Sequence, residues 1–121
     1  MKTWIVSFRN ALRGLVQLFR TERNAQIELV IAIVVVALGF LFNFNTQEWF
    51  ILLLCIFLVI AFEALNTALE KALDRLHPDR HPLIGQAKDL AAGAVLLVSI
   101  FAAIVGILLF YPHVVKWLEQ L

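Results

Sequence analysis

The sequence predicts an all-α membrane protein, an oligomeric bundle whose subunits have three transmembrane helices and an N-terminal amphipathic interfacial helix. Of its 121 residues, 62% are hydrophobic and 16% are charged, and the mean hydropathy is +0.89. Soluble domains are nearer half apolar and a quarter charged, and a soluble chain of this size could not bury so much apolar surface. The charged residues are also segregated along the chain, which leaves long uncharged stretches. We expect one membrane-embedded domain over residues 1–121.

Charge and cysteine content exclude several other classes of protein. The net charge of +1 does not provide the basic surface that is typical of nucleic-acid binders. Cys55 is the only cysteine, so an intrachain disulfide framework and a multi-cysteine metal site are excluded. The five glycines form neither of the glycine-rich loops that hold phosphates in soluble nucleotide-binding enzymes.

Residues 3–24 are predicted to form the amphipathic helix. Its apolar residues recur at helical spacing, and three arginines take the opposite side. The apolar set is Trp4, Ile5, Phe8, Leu12, Leu15 and Phe19, and the basic set is Arg9, Arg13 and Arg20. Such a helix lies in the membrane interface. It either anchors the chain or admits a lipid to the protein, and the residues alone leave both roles open.

Three spans are predicted at about 29–45, 49–69 and 90–111, because a spanning helix needs about 20 mainly apolar residues. The middle stretch is uncharged only as far as Phe62, so this span must continue through Glu63. Pro112 is expected to close the last span.

The lysines and arginines predict the topology. Five of the ten precede the first span, four lie in the loop at 70–89, and Lys116 alone lies in the C-terminal tail. By the positive-inside rule, we expect the N-terminus and this loop to be cytoplasmic and the C-terminus to be outside.

One face of the second span carries a polar stripe. Its members are Glu63, Asn66, Thr67, Glu70 and Asp74, spaced i, i+3, i+4, i+7 and i+11. A carboxyl group within a membrane span is energetically unfavourable, so Glu63 is a functional candidate. The alternative is a protonated glutamate that is hydrogen-bonded to Asn66 or to a neighbouring helix.

The stripe offers groups for phosphate chemistry. Glu63 is suited to act as a general base, and Glu70 with Glu22 could bind Mg²⁺, which takes one or two carboxylates together with substrate phosphates. Lys88 could hold phosphates as a point charge, with Asp89 beside it. Each has an ordinary alternative: Glu22 a surface ion pair with a neighbouring arginine, Lys88 a membrane anchor, and Asp89 a helix cap.

Three separated motifs resemble the small prokaryotic diacylglycerol kinase family, whose Gram-positive branch phosphorylates undecaprenol. They are the stretch from Phe62 to Glu70 (FEALNTALE), the stretch from Ala87 to Val95 (AKDLAAGAV) and Thr21 to Ala25 (TERNA). Order and spacing agree from about Phe8 to Val95. The resemblance implies a homotrimer, with sites shared between subunits, in the bacterial cytoplasmic membrane. It also implies transfer of the γ-phosphoryl group of ATP to a lipid hydroxyl at the cytoplasmic face.

The resemblance assigns roles residue by residue. Glu63 matches the family's catalytic base, Asn66 its polar neighbour, and Glu22 and Glu70 its Mg²⁺-binding carboxylates. The residues matched to nucleotide contacts are Asn10, Asp79, Arg80, His81, Lys88 and Asp89, together with the two metal-binding carboxylates.

Which lipid is phosphorylated stays open. Gln26 and Glu28 stand where the undecaprenol branch often has arginine and histidine, whereas the TERNA and EALNTALE stretches are closer to that branch. A function of another class is a small proton-coupled transporter with Glu63 as the proton carrier. A purely structural membrane protein is a third possibility, but it leaves Glu63 unexplained.

Overall fold

The computed structural model describes residues 2–121, and these residues form four α-helices and no strand. The helices are α1 (Lys2–Thr21), α2 (Arg23–Leu41), α3 (Thr46–Leu76) and α4 (Pro82–Glu119). Within the described chain, three of them, α2, α3 and α4, are long and apolar enough to cross a membrane. The predicted all-α membrane fold is therefore confirmed.

Helices α1 and α2 are separated by Glu22, whose backbone is extended (φ −100°, ψ 117°). The side-chain amide of Gln26 donates hydrogen bonds to the carbonyl groups of Phe19 and Arg20, at 3.0 and 3.2 Å. These bonds satisfy carbonyls that the end of α1 leaves free, so the amphipathic helix ends at Thr21 rather than at residue 24. Glu22 thus occupies a half-buried corner between two helices.

The connection between α2 and α3 is a tight turn fixed by two features. Asn43 adopts the left-handed conformation (φ 53°), which asparagine tolerates better than most residues. Asn45 and Glu48 form a reciprocal capping box, with bonds of 2.9 and 3.1 Å between side chains and backbone N–H groups. Gly39 lets α2 approach Trp49 closely, since a Cβ atom there would lie 2.8 Å from the indole ring.

The loop between α3 and α4 covers 77–81, because both helices extend into the predicted loop at 70–89. Pro82 occupies the first turn of α4, where its missing N–H group is not needed. The His81 side chain accepts a hydrogen bond from the backbone N–H of Leu83 at 3.1 Å and caps the helix. The short loop holds the polar ends of α3 and α4 side by side.

Helix α4 continues through Pro112 to Glu119, so this proline does not end the helix. That it closes the membrane-spanning part of α4 stays a prediction. A proline removes one helical hydrogen bond, here the bond to the carbonyl of Leu108. At about 1.5 Å per residue, the 38 residues of α4 exceed a hydrocarbon core of about 30 Å. Pro112 directly follows the predicted span at 90–111, so the freed carbonyl of Leu108 lies in the last turn of that span.

Few apolar side chains of the described residues are buried within one chain, and none of α4 is. The buried ones are Leu18, Ala25, Ala32, Phe44, Leu52 and Cys55. The outward apolar faces suit contact with lipid tails or with further subunits. Against this background, the two buried polar residues, Glu63 and Thr67, are unusual.

Candidate active site

Glu63 is the centre of the candidate site. It lies in the uninterrupted helix α3 and is only 3% exposed. Along the predicted stripe, Thr67 is also buried, Asn66 and Glu70 are half-buried, and Asp74 is exposed. The stripe therefore runs from the interior of the bundle to the polar end of α3.

Two further carboxylates lie near Glu63. Glu22, at the corner between α1 and α2, and Glu70, two turns along α3, lie close enough for their charges to act on Glu63. The Glu22 side chain makes no capping bond. Neither Glu22 nor Glu70 forms a salt bridge with any of residues 2–121, so the predicted alternative of a surface ion pair for Glu22 is wrong.

The free carboxylates of Glu22 and Glu70 are the hard oxygen ligands that suit Mg²⁺. Among residues 2–121, no cluster of three or more histidines, cysteines or acidic residues has the geometry to hold a metal ion. A cation bound by these two side chains would thus complete its shell with water, with substrate phosphates or with groups from another subunit. Mg²⁺ is commonly bound in this way, so the residues fit the ion.

Lys88 lies in the part of α4 that precedes the uncharged run beginning at Leu90. Its Nζ donates a hydrogen bond to Oδ1 of Asp74 on α3, at 2.5 Å. This bond raises the pKa of the Lys88 ammonium group above its ordinary value, and the charges of Asp74 and Glu70 act in the same direction. Lys88 is therefore a fixed cation beside the acidic stripe.

The remaining predicted contacts are exposed side chains of α1, of the 77–81 loop and of α4. They are Asn10, Asp79, Arg80, His81 and Asp89. Within residues 2–121, no side-chain hydrogen bond or salt bridge links them to Glu63, Glu70 or Lys88. The capping alternative for Asp89 is wrong, because α4 begins seven residues earlier, at Pro82.

Comparison with known proteins identifies the family. The sequence profile described as prokaryotic diacylglycerol kinase matches residues 9–110. The chain belongs to this family. It is 42% identical over 106 residues to the undecaprenol kinase of Bacillus subtilis, an alignment that covers 88% of this chain and 86% of that protein. It is 33% identical over 108 residues to the diacylglycerol kinase of Haemophilus influenzae, which covers 88% of this chain and 92% of that protein.

A third relative is the diacylglycerol kinase of Synechocystis, which is 40% identical over 109 residues, covering 89% of this chain and 62% of that protein. The resemblance predicted from the motifs is thus confirmed, and the protein is a lipid kinase. The transporter alternative is not favoured, because family membership accounts for a carboxylate such as Glu63 without it.

Two buried oxygen atoms of this lipid kinase lack hydrogen-bond partners. They are Oδ1 of Asn66 and Oε2 of Glu28. The predicted alternative, a hydrogen bond between Glu63 and Asn66, is therefore not observed at Oδ1 of Asn66. Glu28 lies on α2 near enough to Glu63 for their charges to interact. In the sequence, Glu28 bears only on the choice of lipid and is not predicted to belong to the catalytic site. Its position directly before the uncharged stretch that begins at Leu29 could have identified it.

An apolar cavity of about 510 Å³ lies between α2, α3 and α4, with Glu28 on its wall. Its other walls include Ala32, Leu52, Val59 and Ala103. The cavity is lined mainly by apolar side chains, and Glu28 is the charged residue among them. A lipid chain and its polar end could be accommodated in that arrangement.

Proposed function

We propose that this lipid kinase transfers the γ-phosphoryl group of ATP to the hydroxyl group of diacylglycerol or undecaprenol at the cytoplasmic membrane face. The observation that carries the proposal is the buried carboxyl group of Glu63 beside Glu22 and Glu70. A carboxyl group within the membrane region is energetically unfavourable, which makes this glutamate a functional candidate. Lipid phosphorylation requires a base near the membrane, and this carboxyl group can supply it.

Glu63 serves as the general base. Its carboxylate takes the proton from the lipid hydroxyl while the hydroxyl oxygen forms a bond to the γ-phosphorus. The bond between that phosphorus and the β–γ bridging oxygen breaks, and ADP leaves with the electron pair. Asn66, whose buried Oδ1 lacks a partner, is positioned one turn away to orient the lipid hydroxyl. Phosphoryl transfer depends mainly on positioning and electrostatics, which this arrangement supplies.

The other groups hold the nucleotide. Glu22 and Glu70 would bind Mg²⁺, which when bound offsets the negative charge of the phosphates. Lys88 binds the phosphates as a point charge. The remaining nucleotide contacts in the proposal are Asn10, Asp79, Arg80, His81 and Asp89.

The assembly proposed is a homotrimer in the bacterial cytoplasmic membrane, with sites shared between subunits. The basic residues support an N-terminus and a 77–81 loop in the cytoplasm and a C-terminus outside. The exposed apolar faces and the unpartnered oxygens of Asn66 and Glu28 support a neighbouring subunit or substrate at the site.

The proposal is tested with purified, detergent-solubilised protein, γ-labelled ATP and Mg²⁺, with diacylglycerol and undecaprenol offered separately. Glu63→Gln is expected to lower the rate by about 10²–10⁴-fold, the usual contribution of general acid–base catalysis. Glu119→Gln, at the exposed end of α4, is the matched control and should leave the rate unchanged. The labelled lipid identifies the substrate. Absence of label in both lipids from folded wild-type protein would refute the proposed function.

A further inference from the structure

The bond between Asp74 and Lys88 joins the polar end of α3 to the start of α4. It is one of two salt bridges among residues 2–121, and the other lies at the opposite end of the bundle. Asp74 is 63% exposed and Lys88 is 34% exposed, so the bond is not needed to satisfy buried charges. Lys71 and Arg75, the neighbours of Asp74 on α3, form no salt bridge within the same residues. Of these three basic residues, Asp74 therefore pairs only with Lys88.

Glu70 is the competing partner for Lys88. Glu70 and Asp74 are four residues apart on α3 and hence neighbours on one helix face, about 5–6 Å apart at their Cβ atoms. The charge of Glu70 acts on Lys88, yet the hydrogen bond goes to Asp74. Lysine has a flexible stem and a compact charge, so without Asp74 its ammonium group would be free to pair with Glu70.

We propose that Asp74 is a positioning residue that keeps Lys88 off Glu70, so that the Glu70 carboxylate stays free for a divalent cation. Asp74 accepts one of the three N–H bonds of Lys88 and leaves the other two for phosphate oxygens. The proposal rests on the proposed function, which makes Glu70 a metal ligand. Asp74 touches neither substrate nor metal and acts through Lys88 alone.

The test is a double-substitution cycle with Mn²⁺ binding as the readout, measured by electron paramagnetic resonance of the free ion. Asp74→Asn is expected to weaken Mn²⁺ binding about two- to fivefold, the range of a partly exposed ion pair. Asp74→Glu, which keeps the carboxylate, should restore most of the affinity. In the Lys88→Met background, Asp74→Asn should have no further effect, because no ammonium group remains to occupy Glu70.

The cycle separates this role from simple loss of negative charge. Equal weakening by Asp74→Asn in the presence and absence of Lys88 would show a through-space charge effect and overturn the proposal. Unchanged Mn²⁺ binding in Asp74→Asn would overturn it as well. Kinase assays on the same proteins should show a higher Mg²⁺ requirement for Asp74→Asn. Wild-type protein that phosphorylates neither lipid would refute the proposed function, whereas failure of the cycle in an active wild type would refute only the role of Asp74.

Discussion

At the end of the bundle opposite the Asp74–Lys88 pair, a half-buried pair joins α3 to α4 through Glu48 and His113, which are 65 residues apart in sequence. The two side chains are 19% and 24% exposed. The imidazole ring also stacks against Phe42 and Phe44, with ring centroids 5.7 and 5.0 Å apart. We predict that this pair stabilises the packing of α3 against α4.

Glu48→Gln isolates the contribution of the pair. The glutamine Oε1 can still accept the hydrogen bond from the N–H of Asn45, so the capping box is kept. The NH₂ group that replaces Oε2 cannot accept a bond from Nε2 of His113. A hydrogen bond to a charged group contributes about 1.5–3 kcal/mol, and partial exposure reduces this, so we expect destabilisation by about 1–2 kcal/mol. His113→Phe keeps the ring and removes Nε2. The double variant should be less destabilised than the sum of the two single variants, by about 1 kcal/mol.

The pair also makes stability depend on pH. The hydrogen bond with His113 lowers the pKa of Glu48 below its ordinary value of 4.5. Because the pKa is lower in the folded than in the unfolded state, the stabilisation is fully present above the unfolded value and is lost as the pH falls toward the folded one. Glu48→Gln should lose this part of the acid sensitivity.

The assay is unfolding of the detergent-solubilised protein by sodium dodecyl sulfate, followed by circular dichroism at pH 7 and at pH 4. Glu119→Gln again provides the matched control. Strictly additive effects of Glu48→Gln and His113→Phe would refute the reasoning, because two residues that share one interaction must show a coupling energy. The same acid sensitivity in Glu48→Gln as in the wild type would refute the assignment of the pH dependence to this carboxylate.

Three further predictions concern other parts of the molecule. Glu70→Gln should raise the Mg²⁺ concentration for half-maximal activity by about tenfold or more, since an interaction with a charged group contributes about 1.5–3 kcal/mol. A titration of the kinase activity with Mg²⁺ at fixed ATP checks this. Glu28→Leu should raise the KM for the lipid about two- to tenfold and leave the KM for ATP unchanged, because it removes a hydrogen bond between Glu28 and the lipid that would contribute about 0.5–1.5 kcal/mol. Steady-state kinetics with each substrate varied in turn measure both constants, and a change in the KM for ATP alone would contradict the prediction. Gly39→Ala should destabilise the fold by about 1–3 kcal/mol, since the added Cβ would lie 2.8 Å from the Trp49 ring. Gly85→Ala is the control for the unfolding assay, because a Cβ atom there would meet nothing within 4 Å.

The helices could be predicted from the sequence because their determinants are local. Uncharged runs of about 20 residues and the helical spacing of Glu63, Asn66 and Glu70 do not depend on the rest of the fold. The ends of helices are less well determined. α3 extends beyond the apolar run to Leu76, and α4 passes through Pro112, because a helix continues wherever its backbone groups find partners, inside the membrane or in water.

The site was partly predictable for a related reason. Residues on one helix share a face by spacing, so the stripe on α3 followed from the sequence. Pairings between helices carry no such signal: Lys88 with Asp74, and His113 with Glu48, depend on how α3 and α4 pack. The proximity of Glu28 to Glu63 could not be predicted, because the position of its unpartnered oxygen depends on how the helices pack.

In the proposed mechanism, the exposure gradient along α3 would let one helix serve both a membrane lipid and a water-soluble nucleotide. Glu63 and Asp74 are eleven residues apart, or about 16 Å along the helix axis. At one end Glu63 is buried, where the proposed base would meet the hydroxyl group of a lipid. At the other end Asp74 is exposed and holds a lysine, where a soluble nucleotide can arrive. Glu70 lies between them and is half-buried, so a cation bound there would face the point at which the phosphoryl group passes from water to the membrane. Moving the base outward by about three turns, to the position of Asp74, would place it in an exposed environment away from the lipid hydroxyl, which is why the proposed chemistry requires a carboxylate inside the span.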